Sequence, residues 1–96
     1  MLYALLCEDR ADAGTLRADN RPEHLAHLTS LGPTLKFAGP FLDEDGKPTG
    51  SLIVVEADSA EAARALGEQD PFAKAGLFSS VTVRRWNWSV NNPETA

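Results

Sequence analysis

The chain is poor in several of the residues that announce a function class. It has a single cysteine, Cys7, which excludes an internal disulfide framework and any multi-cysteine metal site and points to a reducing compartment. No apolar run approaches the roughly 18 residues that a membrane span needs. The apolar start, Met1 to Cys7, has no basic flank, is too short for a secretory leader and runs directly into Glu8-Asp9-Arg10. A soluble cytoplasmic protein is expected. Basic residues are also scarce: 9 Lys and Arg stand against 14 Asp and Glu, for a formal net charge of −5. A net negative chain is a poor partner for phosphate backbones, so nucleic-acid binding is disfavoured. Internal repeats, low-complexity segments and glycine-rich nucleotide-binding motifs are absent.

What remains is ordinary globular composition. With 96 residues, 43 % of them hydrophobic and 24 % charged, the chain has material for one core. A single domain is expected over 1–90, followed by a disordered tail at 91–96. Leu2 to Cys7 reads as a strand apolar on both faces. Glu8 to Asp19 has no clear period and reads as a loop, with room for a short helical turn. Asn20, Pro22 and Glu23 resemble a capped helix start, and Leu25, Leu28 and Leu31 form a helical stripe that Gly32-Pro33 ends. Thr34 to Ala38 alternates as a half-buried strand, closed by Gly39-Pro40. Asp45-Gly46 marks a hairpin, and Gly50-Ser51 opens a third strand, Leu52 to Val55, again apolar on both faces. Asp58-Ser59 can cap a second helix through Ala62, Ala63 and Leu66, which ends near Asp70 because Pro71 follows. A connecting segment leads to a fourth strand from Val81, where the parity change between Val83 and Trp86 suggests a bulge near Arg84-Arg85.

The order β-α-β-β-α-β in a chain this short favours an α+β ferredoxin-like sandwich: an antiparallel four-stranded sheet with two helices on one face. The runs apolar on both faces are then its inner strands. The chain offers no further element for the second sheet face, so a homodimer packed through the open sheet faces is expected.

That topology gathers remote residues at one edge: Cys7, Arg21, His24, Gly39, Pro40, Ser51 and Asp70. At about 100° per residue, Arg21 and His24 lie near the centre of the leucine stripe and face the sheet. Inward polar residues in a first helical turn need partners or a water-filled pocket, and the free N–H groups there favour an anion. His24 also reads as a satisfied histidine that orders the helix end, Asp70 as a turn former before Pro71, and Arg21 as a surface residue with a packed stem. Cys7 reads mainly as core, and Trp86 as core, dimer contact or pocket wall. His24 and His27 have helical spacing for a metal, but no third ligand accompanies them, and neither a metal nor another cofactor is expected.

The series of short motifs resembles the YCII-related domain family, small proteins of dimeric α+β barrel architecture related to muconolactone isomerase. It comprises Tyr3 to Asp9, Arg17, Arg21-Pro22-Glu23-His24-Leu25, Ala38-Gly39-Pro40, Asp45-Gly46, Gly50-Ser51, Asp70-Pro71-Phe72, Ala75 to Phe78, and Trp86. It spans roughly residues 2–88. The resemblance implies a catalytic pair at His24 and Asp70. Phe72 stands where many members carry Tyr, so a phenolic hydroxyl is missing there. Together these readings give a small cofactor-independent enzyme of isomerase or lyase type, dehalogenation included. His24 would act as general base or acid on a small anionic or hydroxylated ring substrate, with Asp70 orienting the imidazole. Arg17 or Arg21 would hold substrate oxygens, and Gly39, Pro40, Ser51 and Phe72 would line the pocket, the glycine allowing close approach. The rival is a non-catalytic module that uses the same pocket to bind a small ligand.

Overall fold

The computed structural model describes residues 1–94. Its elements run β1 (Leu2–Asp9), α1 (Leu16–Ser30), a 3₁₀ turn (Gly32–Thr34), β2 (Leu35–Leu42), β3 (Pro48–Glu56), α2 (Ala60–Glu68), α3 (Pro71–Lys74) and β4 (Phe78–Trp86). One antiparallel sheet has strand order β2-β3-β1-β4. The two runs apolar on both faces, in β1 and β3, are the inner strands, as burial on both sides requires. Tyr3, Leu5 and Cys7 of β1 and Ile53 and Val55 of β3 meet Leu28 of α1 and Ala63 of α2 in the main core. The chain is an α+β sandwich with its helices on one sheet face.

Several boundaries differ from the sequence reading. Helix α1 begins at Leu16 rather than Asn20. Asn20 does not cap: its side-chain amide donates to the Leu16 carbonyl at 2.9 Å. The chain turns through Gly14, whose φ of 59° suits glycine. Thr15 then donates to Asp19 in the first turn at 2.8 Å, where a carboxylate complements the helix dipole. Pro22 therefore sits inside the helix and withholds the N–H that would bond to the Ala18 carbonyl. Ala18 is exposed, so water can replace it.

Strand β2 does not stop at Gly39-Pro40 but runs through to Leu42. It is an edge strand, and Pro40 is tolerated opposite Ser51 because one side of β2 needs no ladder bond. The segment after Asp70 holds the short helix α3, with Asp70 as its N-cap and Pro71 at its start. The bulge expected near Arg84-Arg85 is absent: Arg84, Arg85 and Trp86 oppose Ala4, Tyr3 and Leu2 in unbroken register, and the shift falls at Glu8/Asp9. The parity change marks a switch of face instead. Val81 and Val83 face the helices, whereas Trp86 lies on the other side.

That second face is not bare. Phe37, Trp86 and Trp88 form an aromatic cluster, with the Phe37 ring edge-on to both indoles at centroid distances of 5.6 and 4.9 Å. Beyond Trp88 the chain reaches the opposite edge strand, where Glu94 pairs with Lys36 at 2.8 Å. The expectation that no element is left for this face is corrected to that extent. Of the stretch expected as a disordered tail, 91–94 follow this course and 95–96 lie outside the described residues.

Candidate active site

The site grows from one face of α1. Residues three and four apart share a helical face, and Arg17, Arg21, His24 and Leu28 all stand on the face that looks toward β2 and β3. Between this face and the two strands lies a cavity of about 660 Å³. Leu25, read as core, is 44 % exposed and lines this cavity instead. Arg21 is likewise exposed at the cavity wall rather than turned inward.

His24 is the innermost polar group of that face, only 7 % exposed. Its Nδ1 lies 2.8 Å from both carboxylate oxygens of Asp70, which is 1 % exposed. An ionised carboxylate only accepts, so Nδ1 carries the proton, and Nε2 of the neutral ring presents a lone pair. No buried side-chain nitrogen or oxygen lacks a partner among the described residues, and none of them bonds Nε2, so this nitrogen opens on the cavity. Asp70 is held in turn: its Oδ1 accepts the Phe72 backbone N–H at 2.9 Å, the N-cap of α3. The Phe72 ring stacks on the imidazole at 3.8 Å between centroids and 11° between planes.

Arg17 is fixed on the other side of this group. Its Nε and Nη2 donate to the two oxygens of Asp9 at 2.8 and 2.7 Å, and Nη2 also donates to Ser51 Oγ at 3.1 Å. This fork-to-carboxylate geometry is the strong form of an ion pair. The guanidinium lies 4.8 Å from the Phe72 ring centroid, within cation–π range.

Seven of the eight residues singled out in the sequence line the cavity: Arg17, Arg21, His24, Gly39, Pro40, Ser51 and Phe72. Asp70 stands behind His24. Gly39 borders open space: a Cβ there would meet no protein atom within 4 Å. Gly50 is the glycine that sterics demand, since its Cβ would lie 2.3 Å from the Cys7 carbonyl oxygen. Two site residues escaped the sequence reading. Asp9 anchors Arg17; its acidic side chain follows Tyr3, Leu5 and Cys7 at alternate positions, a parity that could have marked it. Lys47 reaches the cavity from the β2–β3 hairpin, a placement that no local pattern signals. Cys7 is 1 % exposed, and burial, with the Asp70 charge adding to it, pushes its thiol up to about 12; it is core, not a nucleophile. Among the described residues no group of three or more His, Cys, Asp or Glu side chains could hold a metal ion, and no helix is long and apolar enough to cross a membrane.

This geometry has counterparts in known proteins. The solved structure of 5-chloro-2-hydroxyhydroquinone dehydrochlorinase (TftG) from Burkholderia phenoliruptrix AC1100, in complex with 2,5-dihydroxybenzoquinone, matches with a TM-score of 0.78 at 38 % identity, covering 91 % of this chain and 94 % of that one. Protein YciI of Escherichia coli is 37 % identical over 92 residues, 88 % of this chain and 94 % of its own length. The "derivative of benzaldehyde biosynthesis cluster protein C" of Emericella nidulans is 37 % identical over 89 residues, covering 81 % of this chain and 91 % of that protein. The YCII-related domain matches residues 1–87, nearly the whole sandwich, and the chain belongs to the YCII-related domain family.

Proposed function

We propose that the protein is a cofactor-independent enzyme in which His24, backed by Asp70, moves protons on a hydroxylated ring substrate, with loss of hydrogen halide from a halogenated hydroquinol as the reaction. The observation that carries this reading is the His24 Nε2 that opens on a cavity with room for a substituted ring while Nδ1 is held by a buried carboxylate. The similarity to a dehydrochlorinase bound to a dihydroxybenzoquinone supports the substrate class.

The chemistry needs a single acid–base group. Nε2 takes the proton of a ring hydroxyl, and the electron pair moves into the ring. The imidazolium returns that proton to the carbon bearing the halogen, giving a keto tautomer with a tetrahedral C–X centre. Nε2 then removes a second hydroxyl proton. The electrons of that O–H bond form the second carbonyl, a ring double bond shifts, and halide leaves with the C–X pair. Quinol-X becomes quinone plus HX, with no external oxidant. Asp70 stabilises each imidazolium and keeps the proton on Nδ1. The cationic wall attracts both phenolate and departing halide.

The same reading makes the cytoplasmic working unit a homodimer joined through the open sheet faces, where Trp86 remains 37 % exposed within one chain. Halide release and quinone absorbance from chlorinated hydroxyhydroquinones test the activity. The wild-type chain should turn over, and His24→Ala should lose about 10²–10⁴-fold, with partial rescue by added imidazole. A folded His24→Ala protein at full rate refutes the mechanism. Tight binding without turnover across a broad metabolite screen, lost in Arg21→Ala, would instead establish a non-catalytic binding module.

A further inference from the structure

The cavity wall has a charge imbalance that the proton chemistry does not use. Although the chain carries −5 overall, the lining includes Arg17, Arg21 and Lys47 and no Asp or Glu. Arg17 is largely committed: Asp9 takes its Nε and one Nη2 donor, and Ser51 takes a further bond from Nη2. It is better placed to prop Phe72 than to bind substrate charge. Arg21 and Lys47 differ, since neither has a carboxylate partner among the described residues.

The two free cations come from opposite walls. Arg21 stands on α1, three residues before His24 and therefore about 4.5 Å along the helix axis from it. Lys47 stands in the hairpin between β2 and β3, where Asp43 Oδ1 accepts its backbone N–H at 2.9 Å. We infer that Arg21 and Lys47 form a two-cation clamp that selects a hydroxylated ring carrying a carboxylate, with Lys47 as a specificity-determining residue. This inference rests on the ring-substrate reading above and names its substrate more narrowly. A carboxylate offers two oxygens, so a planar guanidinium and a compact ammonium can each take one. An ionised ring hydroxyl offers a single centre. Arg21 and His24 share one helical face and one cavity with Lys47, so a carboxylate at the clamp places the attached ring in the space that Nε2 faces.

The test is binding, which needs no turnover. Dissociation constants for 2,5-dihydroxybenzoate and for hydroquinone are measured by calorimetry on the wild type, Arg21→Met, Lys47→Met and the double variant. The wild type should favour the carboxylate by about tenfold or more, the increment expected of one charge-assisted contact. Each single variant should lose part of that ratio, and the double variant should bring it to within about twofold. Lys47→Arg should retain most of it, because it keeps the charge. Both sites are exposed, so the variants are expected to fold, and far-ultraviolet circular dichroism checks this. A wild type without preference, or one that fails to bind the carboxylate, overturns the clamp, as does a double variant that keeps the ratio. His24→Ala should retain the preference. A chain that prefers the carboxylate but turns over no halogenated quinol refutes the reaction and leaves the clamp standing. Turnover without any carboxylate preference does the reverse.

Discussion

Replacing Asp70 by Asn separates the chemical role of the carboxylate from its structural one. Asp70 makes two kinds of contact: Oδ1 caps α3 by accepting the Phe72 N–H, and both oxygens lie 2.8 Å from His24 Nδ1. An amide can keep its oxygen at the cap, because the reverse orientation would set two donors against each other. Its nitrogen then sits where Oδ2 was and can only donate to Nδ1, so the site loses its negative charge and the imidazole proton is pushed toward Nε2. Opposite charges about 4 Å apart at an effective dielectric near 20 interact by about 4 kcal/mol. The remaining amide hydrogen bond offsets about 1 kcal/mol of that. The net loss of about 3 kcal/mol of imidazolium stabilisation corresponds to somewhat more than a hundredfold in kcat/KM. Folding stability should fall by less than about 1 kcal/mol, since the cap survives. Asp70→Ala should lose activity too, but also about 2–4 kcal/mol of stability, because it removes the cap and orphans a buried Nδ1. Halide-release kinetics with urea titrations on both variants provide the comparison. The double variant His24→Ala/Asp70→Asn should be no slower than His24→Ala, as expected of residues that act as one unit. An Asp70→Asn enzyme within threefold of wild type would refute the argument.

Three other perturbations follow from the same contacts. Asp9→Asn should destabilise the chain by about 2–4 kcal/mol in urea titration, because it leaves a mostly buried Arg17 without its bidentate partner. An unchanged midpoint would contradict the anchoring role. Gly50→Ala should cost about 2–3 kcal/mol by the same measurement, since its Cβ would lie 2.3 Å from a backbone oxygen that cannot swing away. Burial lets Cys7 hold its proton up to about 12 in the folded chain, against an ordinary thiol value of 9.0. Above pH 9 the unfolded state therefore binds fewer protons, and stability falls by at most about 1.4 kcal/mol per pH unit. Cys7→Ala should flatten that alkaline slope, and native Cys7 should resist alkylation at pH 8; rapid labelling of the folded protein would contradict its burial.

The inner strands were legible because burial on both faces leaves a residue signature: Leu2 to Cys7 and Leu52 to Val55 are apolar at odd and even positions alike. Element order then fixed the sandwich, and the sandwich brought His24 and Asp70 to one edge although 46 residues separate them. Failures arose where side chains decide what the backbone does. Asn20 has the composition of a cap yet bonds backward to Leu16, so the first turn of α1 was missed. Arg17 was therefore named through resemblance rather than placed by geometry. Lys47 lies at a turn whose reach depends on hairpin length and sheet twist, and neither is written in the identity of its residues.

The segment Asp70-Pro71-Phe72 shows why so few residues suffice to build the site. Proline restricts the residue before it to extended geometry, and Asp70 adopts φ −63°, ψ 130°. That conformation ends the approach from α2 and aims the carboxylate at both the Phe72 N–H of α3 and the imidazole. Phe72, fastened through its own N–H to that carboxylate, places its ring flat against His24 and within cation–π range of Arg17. The ring thus links the His24–Asp70 pair to the anchored guanidinium without adding a competing polar group. A hydroxyl on that ring, as in tyrosine, would bring a donor into the group. Without it, Phe72 meets the imidazole through carbon alone, and His24 stands on the cavity wall beside Arg17, Arg21 and Lys47.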